Sequence, residues 1–127
     1  MKPPFPISKY KPQTAKALSW QEIEQKYADL TGIHPEFNPM LLLVKHIAST
    51  TLSTRLFAYT SMHKLIISIY NPIEWNREAL HVEFDTLVKK WYFWYYSKPK
   101  EPVEFERTYS SEKGIEKFDA FIRQINW

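Results

Sequence analysis

The chain of 127 residues contains no cysteine and only two glycines, Gly32 and Gly114. The lack of cysteine excludes disulfide bridges, thiol nucleophiles, zinc knuckles and iron–sulfur clusters. Phosphate-binding loops of the G-x-G-x-x-G and G-x-x-x-x-G-K types need several glycines close together, so that the backbone can approach the phosphate. The composition therefore excludes nucleotide-binding motifs of these kinds.

Long apolar runs are also missing. The longest aliphatic run, at positions 40–44, is much shorter than a membrane span, and the N-terminus is rich in proline where a signal peptide needs an apolar segment. We therefore expect a cytoplasmic protein. Fractions of 44% hydrophobic and 24% charged residues are typical of a soluble globular protein, and the length indicates one domain over residues 1–127.

The net charge of +3 originates in the first 17 residues. Four lysines precede the first acid, and the remaining chain holds thirteen bases and fourteen acids. Four prolines in the same segment favour extended polyproline geometry. We expect an N-terminal arm over residues 1–17 and a globular body over residues 18–127. The arm is either a basic element for an acidic partner or a structural strap that lays three apolar side chains on the body: Phe5, Ile7 and Tyr10.

The most distinctive stretch is a run of six aromatic residues at positions 91–96, directly behind two lysines. Aromatic residues favour β-strands, in which successive side chains point to opposite faces. A strand that is apolar on both faces belongs in the interior of a sheet. If one face packs on helices, the other presents two phenols and an indole for binding. The two sets are Trp91, Phe93 and Tyr95, and Tyr92, Trp94 and Tyr96.

Three segments show helical patterns. The Ser19–Glu22 capping box opens a helix predicted over residues 20–31, which Gly32 closes in left-handed geometry. Asn38 is interpreted as the N-cap of a buried helix over residues 39–49, with a strand as the alternative. The last helix begins near Ser110 and carries an apolar stripe. Its members are Ile115, Phe118, Phe121, Ile122 and Ile125.

Between the helices the pattern changes to the two-residue period of β-strands. The predicted strands are 54–60, 64–70, 79–86, 90–96 and 103–107, of which the last is a charged edge strand. The sequence thus predicts an α+β fold. It consists of a four- to five-stranded antiparallel meander, with two N-terminal helices and one C-terminal helix packed mainly on one face.

His81, Glu83 and Asp85 alternate along one face of the strand predicted at 79–86. Their side chains are spaced by roughly 7 Å, which is too far for the outer two to bind one metal ion without bending the strand. We interpret them as the solvated side of an antiparallel sheet. His34, His46 and His63 show no ligand spacing, and we expect them to be capped, partly buried or turn residues. No metal, cofactor or catalytic residue is predicted.

The order of elements is similar to that of small bacterial immunity proteins that protect against secreted toxins. The similarity covers residues 53–127 and rests on layout and size. The segments that carry it are 61–69, 80–84, 91–95 and 115–127. The resemblance implies a non-catalytic cytosolic protein that binds a cognate toxin domain and blocks its active site or its folding. It implies no role for any particular residue.

The residues themselves favour recognition over turnover, because they offer surplus aromatic side chains without nucleotide loops, metal spacing or a nucleophile motif. The predicted partner-binding residues are Tyr92, Trp94, Tyr96, His81, Glu83 and Asp85. Carboxylates on this face suit a basic toxin domain through electrostatic steering. One alternative is a single-stranded nucleic-acid-binding protein that uses the basic arm and the aromatic strand. Another is a small enzyme whose active site forms only in the fold.

Overall fold

Three helices cover one face of a five-stranded antiparallel sheet, which confirms the predicted fold class. The computed structural model describes residues 14–75, 77–97 and 102–127. The helices are α1 (Trp20–Ile33), α2 (Asn38–Ala48) and α3 (Gly114–Gln124). The strands are β1 (Thr14–Ala15), β2 (Phe57–Ser61), β3 (Lys64–Ser68), β4 (Ile73–Glu74), β5 (Ala79–Asp85), β6 (Lys90–Tyr96) and β7 (Phe105–Ser110). Short 3-10 turns lie at Pro35–Phe37, Thr51–Thr54 and Ser111–Lys113.

The large sheet has the strand order β2-β3-β5-β6-β7, with every neighbouring pair antiparallel. The register between β5 and β6 pairs Leu80 with Tyr95 and Val82 with Phe93. Both pairs point towards the helices, as the alternation of the two sequences requires. The aromatic strand β6 lies inside the sheet, between β5 and β7. A separate two-stranded sheet joins β1 to β4.

The core fills the space between the helices and the inner face of the sheet. The ring centroid of Phe93 lies 6.1 Å from that of Phe118 and 5.7 Å from that of Phe121, and both contacts are edge-on. Trp127 packs edge-on against Tyr95 at 5.7 Å. These contacts fix α3 and the C-terminus on the sheet, because edge-on aromatic pairs favour one relative orientation.

Trp91 explains why a glycine begins α3. Its indole is buried, and Nε1 donates a hydrogen bond of 2.9 Å to the carbonyl oxygen of Ser111. A Cβ atom at Gly114 would overlap this indole ring. The glycine is therefore required for close approach of the helix to the sheet, although glycine weakens a helix.

The start of α1 follows its prediction, but its end does not. Ser19 Oγ accepts a hydrogen bond from the amide of Glu22 at 3.0 Å, and the Glu22 carboxylate accepts one from the amide of Ser19 at 3.2 Å. Gly32 does not close the helix in left-handed geometry, because α1 runs through it to Ile33 and is capped by His34. The helical hydrogen bond from the His34 amide to the Leu30 carbonyl stabilises this extra turn.

Other features also differ from the predictions. The last strand extends to Ser110 and a 3-10 turn follows it, so α3 begins only at Gly114. Residues 38–48 are helical, which settles the alternative in favour of a helix, but the N-cap is Phe37 and Asn38 lies inside the helix. Residues 51–54 form a 3-10 turn, so β2 begins only at Phe57. Ile115 is exposed on α3 and is not part of the core stripe. The residue of this first turn that packs on Trp91 is Gly114, and the next position along a helix points to a different side.

Most of the predicted N-terminal arm, residues 1–13, lies outside the described residues, so its role as strap or binding element stays a prediction. The last residues of the arm are described by the structure. Thr14 and Ala15 pair with Glu74 and Ile73. Leu18 then forms an isolated bridge to Ala58 on the edge of the large sheet. Among the residues described, no helix has the length and apolar character needed to cross a membrane.

Candidate functional site

The side of the sheet that faces away from the helices carries the predicted binding residues. We call it the outer sheet face and define it by Lys64, Ile66, His81, Glu83, Tyr92, Trp94, Tyr96 and Glu106. The register places Trp94 between His81 on β5 and Glu106 on β7, and Tyr92 opposite Glu83. Five of the six predicted residues thus lie together, because antiparallel pairing aligns the even-numbered positions of β6 with the odd-numbered positions of β5.

The aromatic rings of the outer sheet face form two contacting pairs. Tyr92 and Trp94 lie parallel, with an interplanar angle of 6° and centroids 5.5 Å apart. His81 and Tyr96 are tilted by 53° at 4.7 Å. The Lys64 ammonium lies 5.4 Å from the centre of the Trp94 ring, in cation–π range. All four ring side chains are half-buried, so each keeps part of its surface accessible.

His81 is held in its neutral form. Burial, with a smaller contribution from the Lys64 ammonium, lowers the pKa of His81 to about 4. Both effects act against the charged imidazolium, since burial removes water from the ring and a nearby cation repels a second positive charge. At neutral pH, His81 therefore offers a flat aromatic ring and hydrogen-bonding nitrogens, and it contributes no positive charge.

Asp85 lies at the end of β5, away from the ring pairs. Its Oδ1 accepts hydrogen bonds from the amides of Leu87 at 2.9 Å and Val88 at 3.3 Å. These bonds satisfy backbone donors in the β5–β6 turn, where Lys89 has a φ of 55°. The visible role of Asp85 is thus to stabilise the turn, and its contact with a partner stays a prediction.

A groove continues the outer sheet face towards the loop that follows β3. It has a volume of about 310 Å³ and is lined by Trp75, Arg77, Ala79, His81 and Tyr96. Trp75 is 52% exposed, although tryptophan is usually well buried. Neither Trp75 nor Arg77 is among the binding residues that the sequence predicts. The signal that could have identified the groove is a large aromatic residue in a loop marked by proline and asparagine.

Arg77 is held in position at the rim of this groove. Its guanidinium carbon lies 4.8 Å from the centre of the Tyr70 ring, and its Nε lies 3.6 Å from the Glu74 carboxylate. The hydrogen bond to Tyr70 and the nearby Glu74 carboxylate raise the pKa of Arg77 above its ordinary value. The guanidinium is thus already engaged on two sides by its own chain.

The other histidines occupy the three ordinary settings expected for them. His34 caps α1 and lies 3.2 Å from a carboxylate oxygen of Glu36. His63 is a turn residue with a φ of 72°, and its ring lies 5.0 Å from that of Phe37. His46 is partly buried against α3. No group of three or more potential ligands that could hold a metal ion occurs in the part of the chain that the structure describes.

Comparison of the chain with protein-family models, curated proteins and solved structures finds no match. Function must therefore be inferred from the surface of this chain.

Proposed function

We propose that the protein is a non-catalytic protein-binding module and that the outer sheet face is its contact surface. The observation that carries the proposal is the parallel Tyr92–Trp94 pair, which is half-buried and keeps part of its surface accessible beside His81 and Tyr96. The inner-face residues of β6 belong to the core, and the outer-face rings of Tyr92 and Trp94 do not. Packing of the domain therefore does not require the outer-face rings. Tyrosine and tryptophan are enriched at interfaces, where they supply large contact areas at low entropic cost.

Charge around the ring pair points to a partner with a basic contact surface. Glu83 lies opposite Tyr92 on one neighbouring strand, and Glu106 lies opposite Trp94 on the other. Neither carboxylate forms an ion pair with any described residue. An arginine or lysine of the partner could therefore pair with either carboxylate at the edge of the ring pair, which provides charge complementarity.

A toxin domain is the particular partner that we propose, and the protein would act as its immunity-type inhibitor in the cytoplasm of a bacterium. The order and size of the elements support this form, and so does the suitability of two free carboxylates for a basic nuclease surface.

The proposal is tested by capture from the native host followed by a growth assay. Immobilised wild type is compared with the double variant Trp94→Ala/Tyr96→Ala, the charge variant Glu83→Gln/Glu106→Gln, and the control Leu42→Ala on the exposed side of α2. We expect one protein to be retained by wild type and the control, and lost from both outer-face variants. Its expression alone should stop growth, and co-expression with wild type should restore it.

Two outcomes would overturn the proposal. Equal retention by all four proteins would show that the outer sheet face is not the contact surface. If the captured protein is not toxic, the immunity role is wrong, and the protein is a binding module of another kind.

The stacked pair also fits the alternative of single-stranded nucleic-acid binding, because bases stack on flat aromatic surfaces. Glu83 and Glu106 disfavour it, since they would repel the phosphates that follow each base. Retention of an oligonucleotide at low salt, lost steeply as salt rises and abolished by Trp94→Ala, would favour this alternative over protein binding.

A further inference from the structure

A second concave site lies on the helix side of the molecule, between the end of α2, the following 3-10 turn and α3. It is an open pocket of about 270 Å³. Its polar lining consists of His46, Thr50, Thr51, Arg55, Asp119 and Arg123. Residues from three separate segments meet here, and the outer sheet face does not use them.

Among the described residues that line the pocket, Asp119 is the only acid, and it is hydrogen-bonded to a histidine. His46 Nε2 lies 2.8 Å and 3.1 Å from the two carboxylate oxygens of Asp119. An ionised carboxylate only accepts hydrogen bonds, so Nε2 carries the hydrogen and donates it. The Asp119 carboxylate is thus paired with the imidazole. This hydrogen bond joins α2 to α3 across a sequence separation of 73 residues.

Both arginines of the pocket lack an acidic partner in the described ranges. No carboxylate of residues 14–75, 77–97 or 102–127 lies within 4.0 Å of the guanidinium of Arg55 or Arg123. Both side chains are exposed. Guanidinium groups without a protein carboxylate favour tetrahedral oxyanions, because their planar N–H donors match the oxygen spacing.

Thr51 adds a free hydroxyl to the same pocket. Residues 49–54 contain five hydroxyl side chains, and four of them donate to a backbone carbonyl three residues earlier. These are Ser49, Thr50, Ser53 and Thr54. The Thr51 hydroxyl is the exception among them and lines the pocket together with Arg55. It can therefore donate to a ligand without breaking a bond within the protein.

We propose that this pocket binds a tetrahedral oxyanion of the phosphate class. The guanidinium groups of Arg55 and Arg123 hold its oxygens, and the Thr51 hydroxyl donates a further hydrogen bond. The two arginines exclude a cation as the ligand. The volume of about 270 Å³ leaves room for a phosphate with a small organic substituent. Asp119 does not contact the anion, because its carboxylate accepts the hydrogen bond of His46.

The test is a two-dimensional amide NMR titration of the full chain with sodium phosphate, at constant pH and ionic strength maintained with sodium chloride. We expect saturable shifts at residues 50–55 and 119–123, with a dissociation constant on the order of millimolar. Arg55→Gln and Arg123→Gln should each weaken binding by roughly tenfold, the loss of one charge-assisted contact. Thr51→Val should weaken it by a smaller factor. Lys89→Gln, at the distant β5–β6 turn, is the matched control and should bind as wild type does.

A parallel titration with phenyl phosphate distinguishes free phosphate from a phosphomonoester. Tighter binding of phenyl phosphate assigns the site to an organic phosphomonoester, and equal or weaker binding assigns it to the free anion. Shifts that do not saturate, that fall outside the pocket, or that persist in Arg55→Gln/Arg123→Gln would overturn the proposal. All substituted residues are exposed, and circular dichroism checks that each variant is folded.

Discussion

The two faces of β6 carry the same kind of residue and have different surroundings. On the inner face, Phe93 packs edge-on against two rings of α3, Tyr95 packs edge-on against Trp127, and the Trp91 indole lies against Gly114. All three side chains lose nearly all contact with solvent. On the outer face, Tyr92 and Trp94 lie parallel to each other and are half-buried, so part of each ring stays accessible. Alternation along the strand decides only which face a ring occupies. What covers that face decides whether the ring belongs to the core or to a surface for recognition.

The largest expected effect separates two neighbouring residues on opposite faces. Phe93→Ala should lower the free energy of unfolding by about 3–5 kcal/mol, because it leaves a cavity among fully packed rings. Trp94→Ala should lower it by less than Phe93→Ala does, because the Trp94 ring keeps contact with solvent and its removal leaves no closed cavity. Urea unfolding followed by circular dichroism measures both. Equal losses would show that both faces of β6 are core and would contradict the comparison.

The outer face should dominate binding where the inner face dominates stability. Once a partner is captured, Trp94→Ala/Tyr96→Ala should raise the dissociation constant by at least about 30-fold, the size of effect seen when central aromatic residues are truncated. Isothermal titration calorimetry measures this change. The exposed Ile115→Ala on α3 is the matched control and should leave affinity unaltered. A similar loss in the control would show that the partner binds elsewhere.

Gly114 tests how closely the inner face and α3 must approach. Gly114→Ala should destabilise the protein by about 1–3 kcal/mol, since the new methyl group overlaps the Trp91 indole. Helix propensity alone predicts the opposite sign, because alanine favours a helix by up to about 1 kcal/mol over glycine. Gly32→Ala, where nothing lies within 4 Å of the new atom, is the matched control and should be neutral or stabilising. Stabilisation of both variants would refute the close packing.

His81 should make stability depend on pH. Its pKa is lowered to about 4 in the folded chain from an ordinary value of 6.5. The unfolded chain therefore binds more protons between these values, and stability falls as the pH drops from 6.5 towards 4. His81→Gln should flatten this slope. Thermal unfolding over pH 6.5–5.5 measures it, because the lowered pKa values of Glu22 and Glu112 contribute mainly at lower pH, near and below their ordinary value of 4.5. An unchanged slope would show that His81 is not held neutral by the fold.

The smallest expected effect concerns the β5–β6 turn. Asp85→Ala should cost about 1 kcal/mol, because two backbone amides lose their acceptor and are left to solvent. Asp85→Asn keeps an acceptor oxygen in the same place and should cost less. Urea unfolding of the two variants gives the difference. If Asp85→Ala instead weakens partner binding without changing stability, Asp85 belongs to the contact surface as first predicted.

The fold was predictable where a local pattern and the tertiary packing agree. The six aromatic residues of β6 and the Ser19–Glu22 capping box gave the correct strand and the correct helix start. The helix end predicted at Gly32 was wrong, because a helix can continue through glycine when no neighbouring group opposes it. The strand start predicted at residue 54 was wrong, because serine and threonine hydroxyls in residues 51–54 bond to nearby carbonyls and favour a tight turn over a strand.

The candidate sites were predictable only in part. The odd and even positions of β5 and β6 fixed the outer sheet face, since both strands alternate strictly. His46 and Asp119 lie 73 positions apart, and no local pattern relates them. Trp75 reaches the groove through a loop whose path depends on the pairing of β1 with β4. Contacts of this kind arise from the folded chain as a whole.

The most direct measurement is the solvent accessibility of the six rings of β6 in the isolated full-length protein. A soluble paramagnetic agent should broaden the NMR signals of the Tyr92, Trp94 and Tyr96 rings and spare those of Trp91, Phe93 and Tyr95. Protection of all six rings would show that the protein covers its own outer sheet face, and would contradict its role as a contact surface.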